Sequence, residues 1–261
     1  MTNKYADIQK KLKKEKSLIY YDIETSPMKV YIWHLGEQNV NHEQIIEETK
    51  IISISYMYEG CKLESLTWDK NQNDKDMLEK FCAVMSTAKV AITQNGKAFD
   101  NPLVQWRLNV LGLSPLKSVE MLDILQLSRS TFEPPSHKLD YRAKVYGGGK
   151  IEMHLKDWIN VLENKPGALD KMVQYNKRDV LEMRKVFWRE LPFYKSMPVS
   201  LSAIIYPNEV KTKNYCNKCA SGRQRRFDVY PTKIGNKTMM QCDRCGNLWK
   251  DTGTLKISAS Q

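Results

Sequence analysis

Nowhere in these 261 residues does an apolar run approach the roughly 20 positions that a membrane-spanning helix requires. The lysine-rich start, MTNKYADIQKKLKKEK, leads into no signal-type apolar stretch, so a cytoplasmic protein is expected. No internal repeat is visible. The glycine run Gly147-Gly148-Gly149 continues into Lys150-Ile151, without the Ser or Thr of a phosphate-binding loop, and reads as a helix stop.

What the chain does have is enough apolar content, 41%, to build one sizeable domain, and a net charge of +11 that is unevenly spread. Residues 1–16 form a basic lead-in of +4, residues 209–261 carry +7, and residues 17–208 are neutral, with 24 charges of each sign. Cations gathered at the two ends suit a polyanionic partner, because lysine and arginine displace counterions from a phosphate backbone without reading its sequence.

Leu18–Tyr21 reads as an apolar strand leading toward Pro27, and Ile51–Tyr58 as a second strand with a hairpin partner over Lys62–Trp68. Helical spacing covers residues 74–88, a short buried strand 90–93, and a helix runs from Pro102 through Leu111. A strand near Met121–Leu125, a helix over 137–145 and a long helix over 167–191, between Pro166 and Pro192, complete the reading. Strands followed by alternation with helices predict an α/β fold with a mixed sheet.

Acidic residues occur in three short islands: Asp22 and Glu24 in IYYDIETSP, Asp100 in QNGKAFDNP, and Asp179 in QYNKRDV. Residues two apart on a strand share a face, so Asp22 and Glu24 project together while Ile23 faces the core. Two adjacent carboxylates repel unless a cation sits between them, and hard divalent ions take oxygen ligands. Tyr175 and Asp179, four apart, share one face of the long helix.

Taken together the islands resemble the DEDD superfamily of 3′–5′ exonucleases, which have a ribonuclease H-like fold of a mixed sheet flanked by helices. Asp22 and Glu24 match the first motif, Asp-x-Glu. Asn95, Phe99 and Asp100 match the second, Asn-x-x-x-Phe-Asp, and Tyr175 with Asp179 the third, Tyr-x-x-x-Asp. Gln174 stands where the histidine subclass has its histidine, which points to the tyrosine subclass. The likeness covers about residues 17–195 and is greatest to the phage and bacterial branch related to the exonuclease domain of family B DNA polymerases. It implies two Mg²⁺ or Mn²⁺ ions, with Asp22 bridging, Glu24 and Asp179 completing the first, and Asp100 holding the second. Tyr175, helped by Glu24, would orient the attacking water. Asn95 and Phe99 would hold the terminal nucleotides, with Lys97 at a phosphate.

Of six cysteines, Cys61 and Cys82 stand alone and read as packing residues. Cys216-x-x-Cys219 and Cys242-x-x-Cys245, with 22 residues between the pairs, match a four-thiolate zinc site. Gly246 would let the chain turn beneath the metal. A zinc ribbon over residues 210–255, too small to bury much core, would depend on one structural Zn²⁺. Arg223, Arg225 and Arg226 precede Phe227 and Tyr230, a mixture of cations and rings that suits single-stranded nucleic acid.

The expectation is therefore a 3′–5′ exonuclease domain over 17–200 followed by the ribbon. It would act on single-stranded DNA 3′ ends, in the host cytoplasm if phage-encoded, as a proofreading or replication and repair subunit. Polymerase motifs are absent, so any polymerase would be a separate partner. The rival readings are an exoribonuclease and a non-catalytic nucleic-acid-binding adaptor on the same fold.

Overall fold

The structure, a computed structural model, describes residues 13, 16–149, 151–194, 224–232, 235–243 and 246–250. The chain divides into two compact units, Met1–Pro192 and Phe193–Gln261.

The first unit is built on a five-stranded mixed sheet. Its strands are β1 (Leu18–Thr25), β4 (Ile51–Tyr58), β5 (Glu64–Thr67), β6 (Val90–Thr93) and β7 (Glu120–Asp123), in spatial order β5-β4-β1-β6-β7. A small separate pair joins β2 (Lys29–Val30) to β3 (Ile45–Glu47). β1 runs antiparallel to β4 and parallel to β6, and β6 runs parallel to β7. Between them lie the helices α1 (Lys75–Met85), α2 (Asp100–Val110), α3 (Ile124–Thr131), α4 (Leu139–Val145), α5 (Leu155–Leu162) and α6 (Ala168–Glu190).

Both faces of the sheet are covered, which is why β4 is buried along all eight residues although its sequence alternates serine with apolar side chains. On one face Ile19, Tyr21 and Ile23 join Met77, Leu78 and Phe81 of α1 and Val104 and Leu108 of α2 in a single apolar cluster. Each such buried side chain contributes about 1.5–3 kcal/mol relative to exposure. Cys61 and Cys82 pack at the edge of this cluster. The opposite face receives α6, whose Phe187 meets Tyr20 edge-on at 5.9 Å between ring centres.

Buried ion pairs fix the helices. Arg107 of α2 grips Asp74 through Nε and one terminal nitrogen, both at 2.8 Å, and Asp74 also accepts from the Ile51 amide. Arg142 of α4 pairs with Glu190 of α6 at 2.9 Å and reaches Gln94 at 2.6 Å. Removing one partner of such a pair leaves an uncompensated buried charge, which makes these pairs rigid fixtures rather than adjustable ones.

Several boundaries differ from the expectation for definite reasons. The strand expected over Met121–Leu125 stops at Asp123, whose side chain caps α3 by accepting from the Leu125 amide at 3.0 Å. α2 starts at Asp100 rather than Pro102, so the acid of the second motif is the first residue of a helix. α3, α5 and the β2–β3 pair have no counterpart in the sequence pattern. Beyond β2, Tyr31, Trp33 and Leu35 stand out into solvent, 72%, 95% and 91% exposed. Among the described residues no helix is long and apolar enough to cross a membrane.

The second unit has a three-stranded antiparallel sheet, β8 (Gln224–Thr232), β9 (Gly235–Cys242) and β10 (Leu248–Lys250), in order β10-β9-β8. Cys242 closes β9 and is buried; its carbonyl accepts from Gly246, which takes the left-handed conformation that the turn needs (φ 68°). Cys216, Cys219 and Cys245, and Arg223 with them, lie outside the described residues.

Candidate metal centre

Strand alternation puts Asp22 and Glu24 on the face of β1 that receives α6, and Ile23 in the opposite cluster. Directly across on β4 stand two small residues, Ser55 opposite Asp22 and Ser53 opposite Glu24. Asp179 approaches from α6. One oxygen from each of Asp22, Glu24 and Asp179 lies within 4.8 Å of the others, a spacing at which one cation can engage all three.

Asp100 reaches the same region from another element. Its Oδ1 accepts from the Ile23 amide at 3.2 Å, between the two β1 acids along the chain, and it is 3% exposed. The turn that delivers it is tightly specified. Asn95 has a positive φ of 66°, and Gly96 passes so close to Thr93 that an added Cβ would sit 2.4 Å from it. The Asp123 carboxylate collects the Asn95 amide at 2.9 Å and the Lys97 amide at 3.4 Å. Asn95, Lys97 and Phe99 themselves are exposed around this turn, Phe99 to 47%.

Tyr175 lies half-buried on α6, one turn before Asp179, with its ring edge-on to Trp158 of α5 at 6.0 Å. Next to it in the chain, Asn176 is fully buried. Its Nδ2 donates to Asp22 Oδ2 at 2.7 Å and its Oδ1 accepts from Ser53 Oγ at 3.2 Å. Asn176, Asp123 and Trp158 are the residues sequence reasoning missed. Asn176 sits inside the Tyr-x-x-x-Asp island, and Asp123 in the middle of an expected strand, but Asp22 and Ser53 for the one, and Asn95 and Lys97 for the other, are far away in sequence.

The electrostatics follow from crowding. Burial pushes the Asp22 carboxyl well above the usual carboxylate range, and Asp100, Glu24 and Asp179 push it further, while the Asn176 amide acts the other way. Burial likewise raises Asp100, to about 7, with Asp123 adding to the rise and the backbone amides of Asp100 and Ile23 opposing it. Tyr21 beneath them is raised by burial and then by the charges of Asp100 and Asp22. A cluster of hard oxygen donors, with two of its carboxyls raised by burial and crowding, fits a divalent cation of the Mg²⁺ or Mn²⁺ kind.

In the second unit Arg225 and Arg226 lie exposed on β8. Arg225 donates to Gln241 at 2.7 Å and lies 3.6 Å from Asp243, and the strand register shifts between Arg226 and Asp228, at the exposed Phe227.

A sequence search of curated proteins gives no match. Among solved structures the chain is similar to the family B DNA polymerase from the hyperthermophilic archaeon Pyrobaculum calidifontis. That match has a TM-score of 0.50 and 13% identity, and covers 67% of this chain but 24% of the polymerase. The likeness is one of fold. Residues 19–189 match the family RNase_H_2, described as the RNase_H superfamily, and this span holds the whole acidic cluster. Fold and cluster together are compatible with nuclease chemistry, and the three carboxylates could hold a divalent metal. The chain belongs to the RNase H superfamily.

Proposed function

We propose that the protein is a 3′–5′ exonuclease of the tyrosine subclass of DEDD enzymes, hydrolysing single-stranded DNA from its 3′ end. The observation that carries this reading is the meeting of Asp22, Glu24 and Asp179 within 4.8 Å, with Asp100 bonded to the backbone between the first two. Asp22, Glu24 and Asp179 would hold one Mg²⁺ or Mn²⁺, and Asp22 and Asp100 a second. Such a pair lowers the pKa of a bound water and stabilises charge on the leaving oxygen. The remaining work falls to side chains. Tyr175, steadied by Trp158, orients the water together with Glu24 for in-line attack on phosphorus. The new bond is water oxygen to phosphorus. The bond that breaks joins phosphorus to the 3′-oxygen of the preceding nucleotide, and a nucleoside 5′-monophosphate leaves. Asn95 and Phe99, exposed on the turn before Asp100, hold the terminal nucleotides, and Lys97 takes a phosphate.

The proposed domains are a basic lead-in over 1–16, the exonuclease over 17–200 and a zinc ribbon over 210–255. In the ribbon Cys216, Cys219, Cys242 and Cys245 bind one Zn²⁺, and Arg223, Arg225 and Arg226 supply affinity for the strand. The left-handed Gly246 after the second cysteine pair supports such a site, and elemental analysis giving less than one zinc per chain would remove it. The reading extends to the phage and bacterial branch that the motifs resemble, acting in the cytoplasm beside a separate polymerase.

The decisive assay is a time course on single-stranded DNA and RNA labelled at either end, with Mg²⁺, Mn²⁺ or chelator. The expected result is metal-dependent release of mononucleotide from the 3′ label of DNA at once, and from the 5′ label only at the end. Release first from the 5′ end, or none with either metal, would overturn the reading. Faster release from RNA would reassign the substrate.

A further inference from the structure

We propose that Asn176 is a positioning residue that fixes the Asp22 carboxylate for metal binding, and that Ser53 fixes Asn176 in turn. This rests on the metal-dependent reading above and adds a residue from outside its motifs. The chain of hydrogen bonds is Ser53 Oγ to Asn176 Oδ1 at 3.2 Å and Asn176 Nδ2 to Asp22 Oδ2 at 2.7 Å, joining β4, α6 and β1. Ser53 and Asn176 are both fully buried. A buried amide must place both its donor and its acceptor, and here each has one specific partner.

Asparagine is an indifferent helix former, so its place in the middle of a 23-residue helix is not explained by helix propensity. Its chemistry explains it better. An ionised Asp22 only accepts, so the amide must present Nδ2 to it, which leaves Oδ1 for the serine hydroxyl. The hydrogen bond favours the charged carboxylate that a cation needs. Being neutral, the amide does so without competing for the site, whereas lysine or arginine in the same place would itself neutralise the acid. With one carboxylate oxygen tied, rotation of the Asp22 side chain is arrested. Outer-shell partners that orient a ligand in this way are worth about 10–100-fold in metal affinity or activity.

The test is Mn²⁺ binding by titration calorimetry on the full chain, with wild type, Asn176→Ala, Asn176→Leu, Ser53→Ala and the Ser53→Ala/Asn176→Ala double variant. Leucine branches at the same carbon as asparagine and has the same number of side-chain heavy atoms, so it fills the site if alanine leaves too large a hole. Both Asn176 variants are expected to raise the Mn²⁺ dissociation constant about 10–100-fold. Ser53→Ala should raise it less. The double variant should match Asn176→Ala alone, because Ser53 acts only through the amide. The Mn²⁺ concentration for half-maximal hydrolysis should move in parallel while turnover at saturating metal largely survives; a purely structural residue would lower thermal stability and leave that concentration alone. Wild-type Mn²⁺ affinity in a folded Asn176 variant would overturn the proposal while leaving the metal centre standing. A wild type that binds no Mn²⁺ would take both away.

Discussion

In the unit Met1–Pro192, three arginines serve as fixtures on buried acids: Arg107 on Asp74 and Arg142 on Glu190, both buried, and the partly exposed Arg184 on Glu59. In the unit Phe193–Gln261, Arg225 and Arg226 lie outside on a strand. The first unit neutralises the acids that hold its helices and leaves Asp22 crowded by other carboxylates, with the neutral Asn176 amide opposing them. The second offers positive charge to whatever approaches. Residues 17–208 are neutral overall and residues 209–261 carry +7. On the proposed reading the contrast separates two tasks: the crowded carboxylates of the first unit await a cation, and the exposed arginines of the second suit a polyanion.

The largest effect that would sharpen this contrast is loss of a metal ligand. Asp22→Asn and Asp179→Asn are each expected to lower hydrolysis at least about a thousandfold, the scale seen when one member of a catalytic unit is removed. Binding of single-stranded DNA, measured by fluorescence anisotropy, should persist. Near-wild-type turnover in either variant would break the assignment.

A smaller effect should follow from removing residues 210–261. At about 150 mM salt KM is expected to rise about tenfold, and the log–log salt dependence of binding to flatten by about 0.7 for each phosphate that the shortened chain no longer neutralises. Turnover at saturating substrate should change little. An unchanged salt slope would mean that affinity resides in the first unit and that the comparison is wrong.

The smallest effect concerns stability. In metal-free protein the Asp100 carboxyl holds its proton up to about pH 7, against about 4 in an unfolded chain. A raised carboxyl contributes stability in full below the unfolded value, and that contribution is lost as pH climbs from about 4 through about 7. Metal-free wild type is therefore expected to melt lower at pH 8 than at pH 5, and added Mn²⁺ to restore more at pH 8. Asp100→Asn keeps an acceptor for the Ile23 amide and should raise the metal-free melting temperature at pH 8 by several degrees, at about 2–4 °C per kcal/mol for a domain of this size. A lower melting temperature for that variant at pH 8 would contradict this origin of the shift.

The local part of this site is legible in the sequence, and the rest is hidden for a physical reason. Asp22 with Glu24, and Tyr175 with Asp179, share faces by strand and helix periodicity alone, so spacing suffices. Asn176 cannot be read that way, because Asp22 lies 154 positions and Ser53 123 positions away. Asp123 is hidden differently: one residue ends β7, caps α3 and anchors the turn before Asp100, and a strand pattern over Met121–Leu125 shows none of these roles. In β4 the alternation of serine with apolar residues marks a strand without showing what covers the serine side. The serines are buried because α6 covers them, and they are small where the acids and Asn176 need room.

The most direct test of the central claim is anomalous diffraction from crystals of the full chain grown with Mn²⁺. The expected result is one peak among the oxygens of Asp22, Glu24 and Asp179 and a second between Asp22 and Asp100, both abolished in Asp22→Asn. Peaks elsewhere, with none at these carboxylates, would contradict it.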